Sequence, residues 1–139
     1  MTSTARASAW LVIAWVGGWE FTSLPPRRGA RAFVAYYPSV RDEQPTKIRP
    51  RHPCDAAREI KCPSMILYGG HDQHSTFPVQ QRVMESFHSN GQSLEWHYFH
   101  FGYHGFASTE SDGYQPYLAD LVWPLVTEFL GRELIGPAL

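Results

Sequence analysis

Residues 64–72, Ser-Met-Ile-Leu-Tyr-Gly-Gly-His-Asp, decide how this chain is read. A short apolar run closed by two glycines has the pattern of a strand covered on both faces, and just beyond the turn stands a carboxylate, Asp72. A second stretch follows the same plan. Leu94 to Phe101 is rich in aromatics, breaks at Gly102 and presents His104 between Gly102 and Gly105. Parallel sheets gather functional groups at the carboxyl ends of their strands, so Asp72 and His104 are a candidate acid and base. A carboxylate so placed can orient an imidazole and stabilise its charged form. The imidazole can then take a proton from a nucleophile and return it to a leaving group. A lone Asp that caps a turn, or a lone His on a surface loop, would carry no such meaning. The order acid then base, with room for a helix and a strand between them, gives the pair its weight.

Working outward, Trp10 to Val16 is another continuous apolar run, ending at Gly17-Gly18, and reads as a first buried strand. Pro25 and Pro26 interrupt the following stretch, so a short irregular connection is expected before a second buried strand from Arg31 to Tyr37. A polar, proline-containing loop covers Pro38 to Pro53, and Asp55 is placed to cap a short helix through Glu59. After the third strand, Ser64 to Tyr68, Ser75 or Thr76 can cap a helix with Pro78 in its first turn. Val79, Val83 and Phe87 form its apolar face, and Asn90-Gly91 ends it. The last helix pairs Tyr117 with Leu118, Leu121 with Val122, Leu125 with Val126 and Phe129 with Leu130. Pro124 inside it predicts a kink or broken hydrogen bonding near Ala119 and Asp120. Strands alternating with helices imply an α/β fold: a mostly parallel sheet of about four strands flanked by helices. One domain spanning 1–139 is expected, with residues 1–9 as a disordered start.

Composition narrows the partners. With 43% hydrophobic and 14% aromatic residues, the 139-residue chain can bury one real core. A net charge of -1 with scattered cations offers no basic stripe for nucleic acid. The segment Ala9 to Val16 is far shorter than the roughly 20 apolar residues a membrane span needs. It follows Arg6, as a signal peptide would, but no small-residue cleavage site follows it, so a buried strand is the preferred reading. Cys54 and Cys62 lack C-x-x-C spacing and suggest neither a zinc knuckle nor a disulfide framework, which suits a reducing cytoplasm. His71, Asp72 and His74, or His97, His100 and His104, resemble metal clusters in sequence. The first set lacks helical i, i+4 placement, and His97 and His100 would point to opposite faces of one strand, so no metal is expected.

The residues taken together resemble a known family. Ala32-Phe33-Val34-Ala35-Tyr36-Tyr37-Pro38, Ile60-Lys61-Cys62-Pro63, Ile66 through Asp72, and Tyr98 with Gly102 through Ala107 are similar, in order and spacing, to the carboxyl-terminal half of dienelactone hydrolases. The resemblance covers roughly Ala30 to Leu134. It implies a truncated α/β-hydrolase-like fold that cleaves esters or lactones with no cofactor, with Asp72 as the triad acid and His104 as the base.

Departures from the family pattern are equally specific. The family's nucleophile, a cysteine or serine, sits on a G-x-C-x-G-G elbow, and the matching place here is Ile13-Ala14-Trp15-Val16-Gly17-Gly18. Trp15, or Val16 in a shifted register, stands at the nucleophile position, and neither side chain can attack a carbonyl. Ser108 stands where dienelactone hydrolases use an arginine to hold the substrate carboxylate. Cys62 reads as a small buried hydrophobe at the amino end of a strand, Cys54 is a substitute nucleophile only by default, and Ser8, Ser23 and Ser75 have no elbow around them. The expected function is hydrolysis of a small-molecule ester or lactone by the Asp72/His104 pair, slow for want of the family nucleophile. The alternative is a non-catalytic remnant of the fold that binds a ligand or self-associates as a homodimer through an exposed sheet edge. A gene fragment without independent role is a third reading.

Overall fold

The computed structural model describes residues 10–14, 30–40, 44–48 and 50–135. Among them, β1 (Trp10–Ala14), β2 (Ala30–Tyr36), β3 (Ser64–Gly69) and β4 (Leu94–Phe99) form one parallel sheet in the order β1-β2-β3-β4. Helices α1 (Pro53–Ala57), α2 (Phe77–Ser89) and α3 (Pro116–Ile135) connect or follow the strands. Every residue of β3 is buried, which is why it reads as an unbroken apolar run without polar alternation. Met65 pairs with Glu95, Ile66 with Trp96 and Leu67 with His97 across the β3–β4 ladder.

The two long helices cover opposite faces of this sheet. Glu95 and His97, on one side of the β4 pleat, share a groove with Leu125 and Glu128 of α3, whereas Tyr98 on the other side meets Phe77 of α2. From α3 the sheet receives Leu118, Val122, Val126 and Phe129; from α2, Val83 and Phe87. Burying each such side chain is worth about 1.5–3 kcal/mol. Among the described residues, no helix is long and apolar enough to cross a membrane.

Several boundaries differ from the sequence reading, each for a local reason. β2 stops at Tyr36 because Tyr37 adopts φ 36, a left-handed conformation that ends an extended strand. β4 stops at Phe99, whose carbonyl accepts the amides of both Gly70 and Gly102 and turns the chain, so His97 and His100 do not share a strand. Asp55 lies inside α1 rather than capping it. Thr76 occupies the N-cap of α2 without a side-chain capping bond, and Ser75 is not a cap either; its hydroxyl is engaged elsewhere, as described below. α3 continues through Pro124 as one helix. Asp120, four residues before the proline, is exposed, so water can serve the carbonyl left without an amide partner. The buried stripe of α3 is also narrower than the paired pattern suggests, leaving Tyr117 72% and Leu121 42% exposed. Of the expected irregular connection from Trp19 to Arg31, residues 19–29 lie outside the described residues, and Ala30 and Arg31 already belong to β2.

Two glycines should separate cleanly in a stability measurement. A Cβ on Gly69 would overlap the Gly102 backbone carbonyl, so Gly69→Ala should lose about 3 kcal/mol or more in urea unfolding. Gly131, inside α3 with open space around it, should gain about 0.5–1 kcal/mol on substitution by alanine. A pH titration supplies a further check. Burial pushes the Tyr37 hydroxyl up to about 12, against a smaller opposing effect of the Ala107 backbone amide, and burial lifts the Tyr68 hydroxyl as well. Both phenols hold their protons more tightly folded than unfolded. Their stabilisation is therefore complete below about pH 10 and is lost as the pH climbs toward about 12. Urea midpoints should fall over that window, and Tyr37→Phe should flatten the fall.

Candidate active site

Sequential strand order puts the carboxyl ends of β3 and β4 side by side, and backbone contacts then lock the loops that follow them. The Gly70 amide donates to the Phe99 carbonyl at 2.7 Å and the His71 amide to the Gly102 carbonyl at 2.9 Å. The glycines permit this close approach. A side chain at Gly69 would strike Gly102, and one at Gly70 would strike the His100 backbone. Gly69 and Gly70 are thus required for proximity rather than for a left-handed turn; the described glycines with positive φ are Gly91 and Gly105.

Asp72 stands just beyond this crossing with its side chain fully buried. One oxygen, Oδ1, accepts the backbone amides of His74 at 2.8 Å and Ser75 at 2.9 Å. The other, Oδ2, lies 2.9 Å from Nδ1 of His104. A carboxylate taken wholly out of water needs such partners. With Oδ1 committed to the loop's own amides, the carboxyl plane is set before the histidine meets it.

His104 is nearly as constrained. Its side chain is 19% exposed, and its ring packs against Tyr37 at 5.1 Å between centroids and His74 at 4.4 Å. The loop that carries it is clipped at several points. Gln115 accepts the Tyr103 amide at 2.8 Å and donates to the Phe101 carbonyl at 2.9 Å. The Ser111 hydroxyl accepts the Gly113 amide at 3.1 Å and reaches the His104 carbonyl at 3.4 Å. Gly105, at φ 80, turns the chain beneath them. A cleft of about 490 Å³ opens over the ring, lined by Gln73, His74, Tyr103, His104, Ser111, Asp112 and Gly113.

Several residues that support the pair carry little signal in the sequence. Tyr37 looks like one more strand aromatic, yet it is 1% exposed and its left-handed backbone turns its ring against both His104 and Phe106. Ser75 ties the acid loop to the end of β2, donating to the Pro38 carbonyl at 2.9 Å and accepting the Val40 amide at 2.8 Å. Tyr68 donates to the same Pro38 carbonyl at 2.9 Å. Gln80, on what looks like the polar side of α2, is buried and donates to the carbonyls of Gly69 and Ser75.

Trp15, Val16, Gly17 and Gly18 lie outside the described residues, as do Ser8 and Ser23. Cys54, in α1, does not line the cleft, and neither do Cys62 and Ser108. Burial pushes the Cys62 thiol up, away from the reactive thiolate. Among the described residues, no three His, Cys, Asp or Glu side chains are placed to share a metal ion.

The same architecture occurs in solved hydrolases. A Klebsiella pneumoniae protein provisionally named a dienelactone hydrolase superposes with a TM-score of 0.69 at 19% identity, over 80% of this chain and 45% of its own. Esterase 2 of Thermogutta terrifontis, phosphorylated by paraoxon, gives 0.55 at 23% identity, over 75% of this chain and 40% of its own. An acylaminoacyl peptidase of Pyrococcus horikoshii gives 0.63 at 16% identity, over 87% of this chain and 22% of its own. The chain therefore spans less than half the length of these proteins, and at such identities the shared property is the α/β-hydrolase fold. No curated protein matches the sequence. The model of the dienelactone hydrolase family matches residues 16–134, nearly the whole chain, and on that match the protein belongs to the dienelactone hydrolase family.

Proposed function

We propose that Asp72 and His104 form the acid–base pair of a carboxylic-ester or lactone hydrolase. One observation carries this reading: the 2.9 Å contact between His104 Nδ1 and Asp72 Oδ2, made to a carboxylate whose other oxygen is already held by two amides. That contact fixes the tautomer. Nδ1 bears the proton and donates to the carboxylate, which leaves Nε2 as the basic nitrogen of the ring.

The chemistry follows from the tautomer. Nε2 accepts the proton of an attacking hydroxyl as the new bond to the carbonyl carbon forms. The buried Asp72 carboxylate stabilises the resulting imidazolium, and the same proton then passes to the departing alkoxide as its bond to carbon breaks. The attacking hydroxyl is a water molecule in this reading, because Trp15 and Val16, at the family's nucleophile position, have no group able to attack. Direct attack by water gives up the acyl-enzyme intermediate and should be slow. The substrate is a small ester or lactone, and the Ser108 position gives no reason to choose dienelactone itself.

Hydrolysis of a short-chain aryl ester by the purified protein tests the reading. The wild type should exceed buffer, His104→Ala should fall to the buffer rate, and Cys54→Ala should keep the wild-type rate. Asp72→Asn is the sharper variant. Asparagine can still accept the His74 and Ser75 amides, but its amide group would donate to Nδ1 and force the proton onto Nε2. A loss of about 10²–10⁴-fold in kcat with little change in unfolding free energy is expected. Buffer-level rates in the wild type would overturn the reading in favour of a hydrolase fold that binds without turnover.

A further inference from the structure

We infer that the cleft over His104 selects against substrates that carry a carboxylate near the scissile carbonyl and admits uncharged or cationic esters, with Asp112 as the discriminating residue. The inference rests on the assignment of His104 as the reacting base and deepens it to a substrate class.

The charge census of the cleft is one-sided. Its described lining residues comprise one carboxylate, Asp112, two histidines, three uncharged polar side chains and a glycine, with neither lysine nor arginine among them. Behind His104 stands a second carboxylate, Asp72, fully buried and 2.9 Å from the imidazole. Asp112 lines the space a ligand would enter, Asp72 lies buried behind the ring, and the described lining contains no permanent cation to offset them. His74 is the other imidazole in the described lining. Ser108, at the position where the family resemblance places a carboxylate-binding arginine, does not line the cleft.

Asp112 is exposed, and the backbone that carries it is held against the His104 segment. On one side the Ser111 hydroxyl reaches the His104 carbonyl, and on the other the Gly113 amide donates to that same hydroxyl. A side chain on Gly113 would overlap the His104 carbonyl, so the chain on either side of Asp112 packs directly against the histidine's own backbone. Among the described residues no cation pairs with the Asp112 carboxylate. An anion entering this space meets like charge, partly screened by the solvent that reaches the exposed Asp112, whereas an isosteric amide or ester does not.

Alkylation of His104 reads this selection without requiring turnover. Bromoacetate and bromoacetamide are nearly the same size and differ by one charge, and each transfers its two-carbon group to an imidazole nitrogen with loss of bromide. Rates at His104 would be followed by peptide mass mapping at pH 8 and low salt. The ratio of the two reagents would be divided by the ratio for the same histidine in the chain unfolded in urea. The neutral reagent should be favoured about three- to tenfold, and added salt should shrink that preference. Asp112→Asn should bring the ratio close to the unfolded value, while Asp112→Glu should retain most of it. A normalised ratio near one in the wild type would overturn the inference. So would an unchanged ratio in Asp112→Asn, or failure of both reagents to reach His104 in the folded protein. Ester turnover assayed on the same samples is a separate result, so an inactive protein and an unselective cleft are told apart.

Discussion

The arrangement of this site depends on how the protein satisfies one buried carboxylate. Asp72 is removed from water entirely, and a carboxylate in that position is tolerable only when donors surround it. The loop after β3 supplies two of them from its own backbone, at His74 and Ser75, which fixes the plane of the group without help from the rest of the fold. The third donor must come from outside the loop, and His104 is the residue that arrives. Pairing with His104 is therefore a condition of burying Asp72 as much as a device for chemistry. Removing the imidazole would leave Oδ2 without this partner.

A chain of close contacts makes that arrival certain. Parallel order places the ends of β3 and β4 next to each other, but strand neighbours alone leave their loops free to diverge. Gly69, Gly70 and Gly102 let the two backbones come within hydrogen-bonding distance, so the loops are joined before any side chain is considered. From the other side, Tyr37 closes on the histidine ring. Its left-handed backbone conformation is unfavourable for a large residue, and it persists because the ring is held between His104 and Phe106 while the Tyr37 amide donates to Leu67 at 2.6 Å. The site is thus rigid through backbone contact below and aromatic packing beside it.

Some of this was legible in the sequence and some could not be. Asp72 and His104 stood out because each follows an apolar run ended by glycine, a pattern that places a polar residue at a strand end whatever the rest of the chain does. The parallel sheet of four strands followed from the same runs. The purpose of Gly69 and Gly70 was hidden, since a glycine needed for close approach and one needed for a turn look identical until the neighbouring loop is in place. Ser75 carried the composition of a cap, but tertiary structure gave its hydroxyl to Pro38 and Val40 instead. Gln80 and Tyr37 were invisible for opposite reasons: one seemed too polar to be buried and the other too ordinary to matter. In α3 the paired apolar pattern was real, yet one line of contact with the sheet suffices, and Tyr117 and Leu121 fall outside it.

The described contacts of the proposed acid–base pair are also local. Every group shown here to hold Asp72 or His104 lies between Tyr37 and Gln115, at the ends of β2, β3 and β4 or on the loops that follow them. On the proposed reading the family's nucleophile position follows β1, the strand next to β2 in the sheet. The described hydrogen bonds that satisfy the carboxylate and orient the imidazole are all made within the span from Tyr37 to Gln115. On the proposed reading, the chemistry is set by what can approach His104 Nε2, water and substrate alike, and hence by the walls of the cleft.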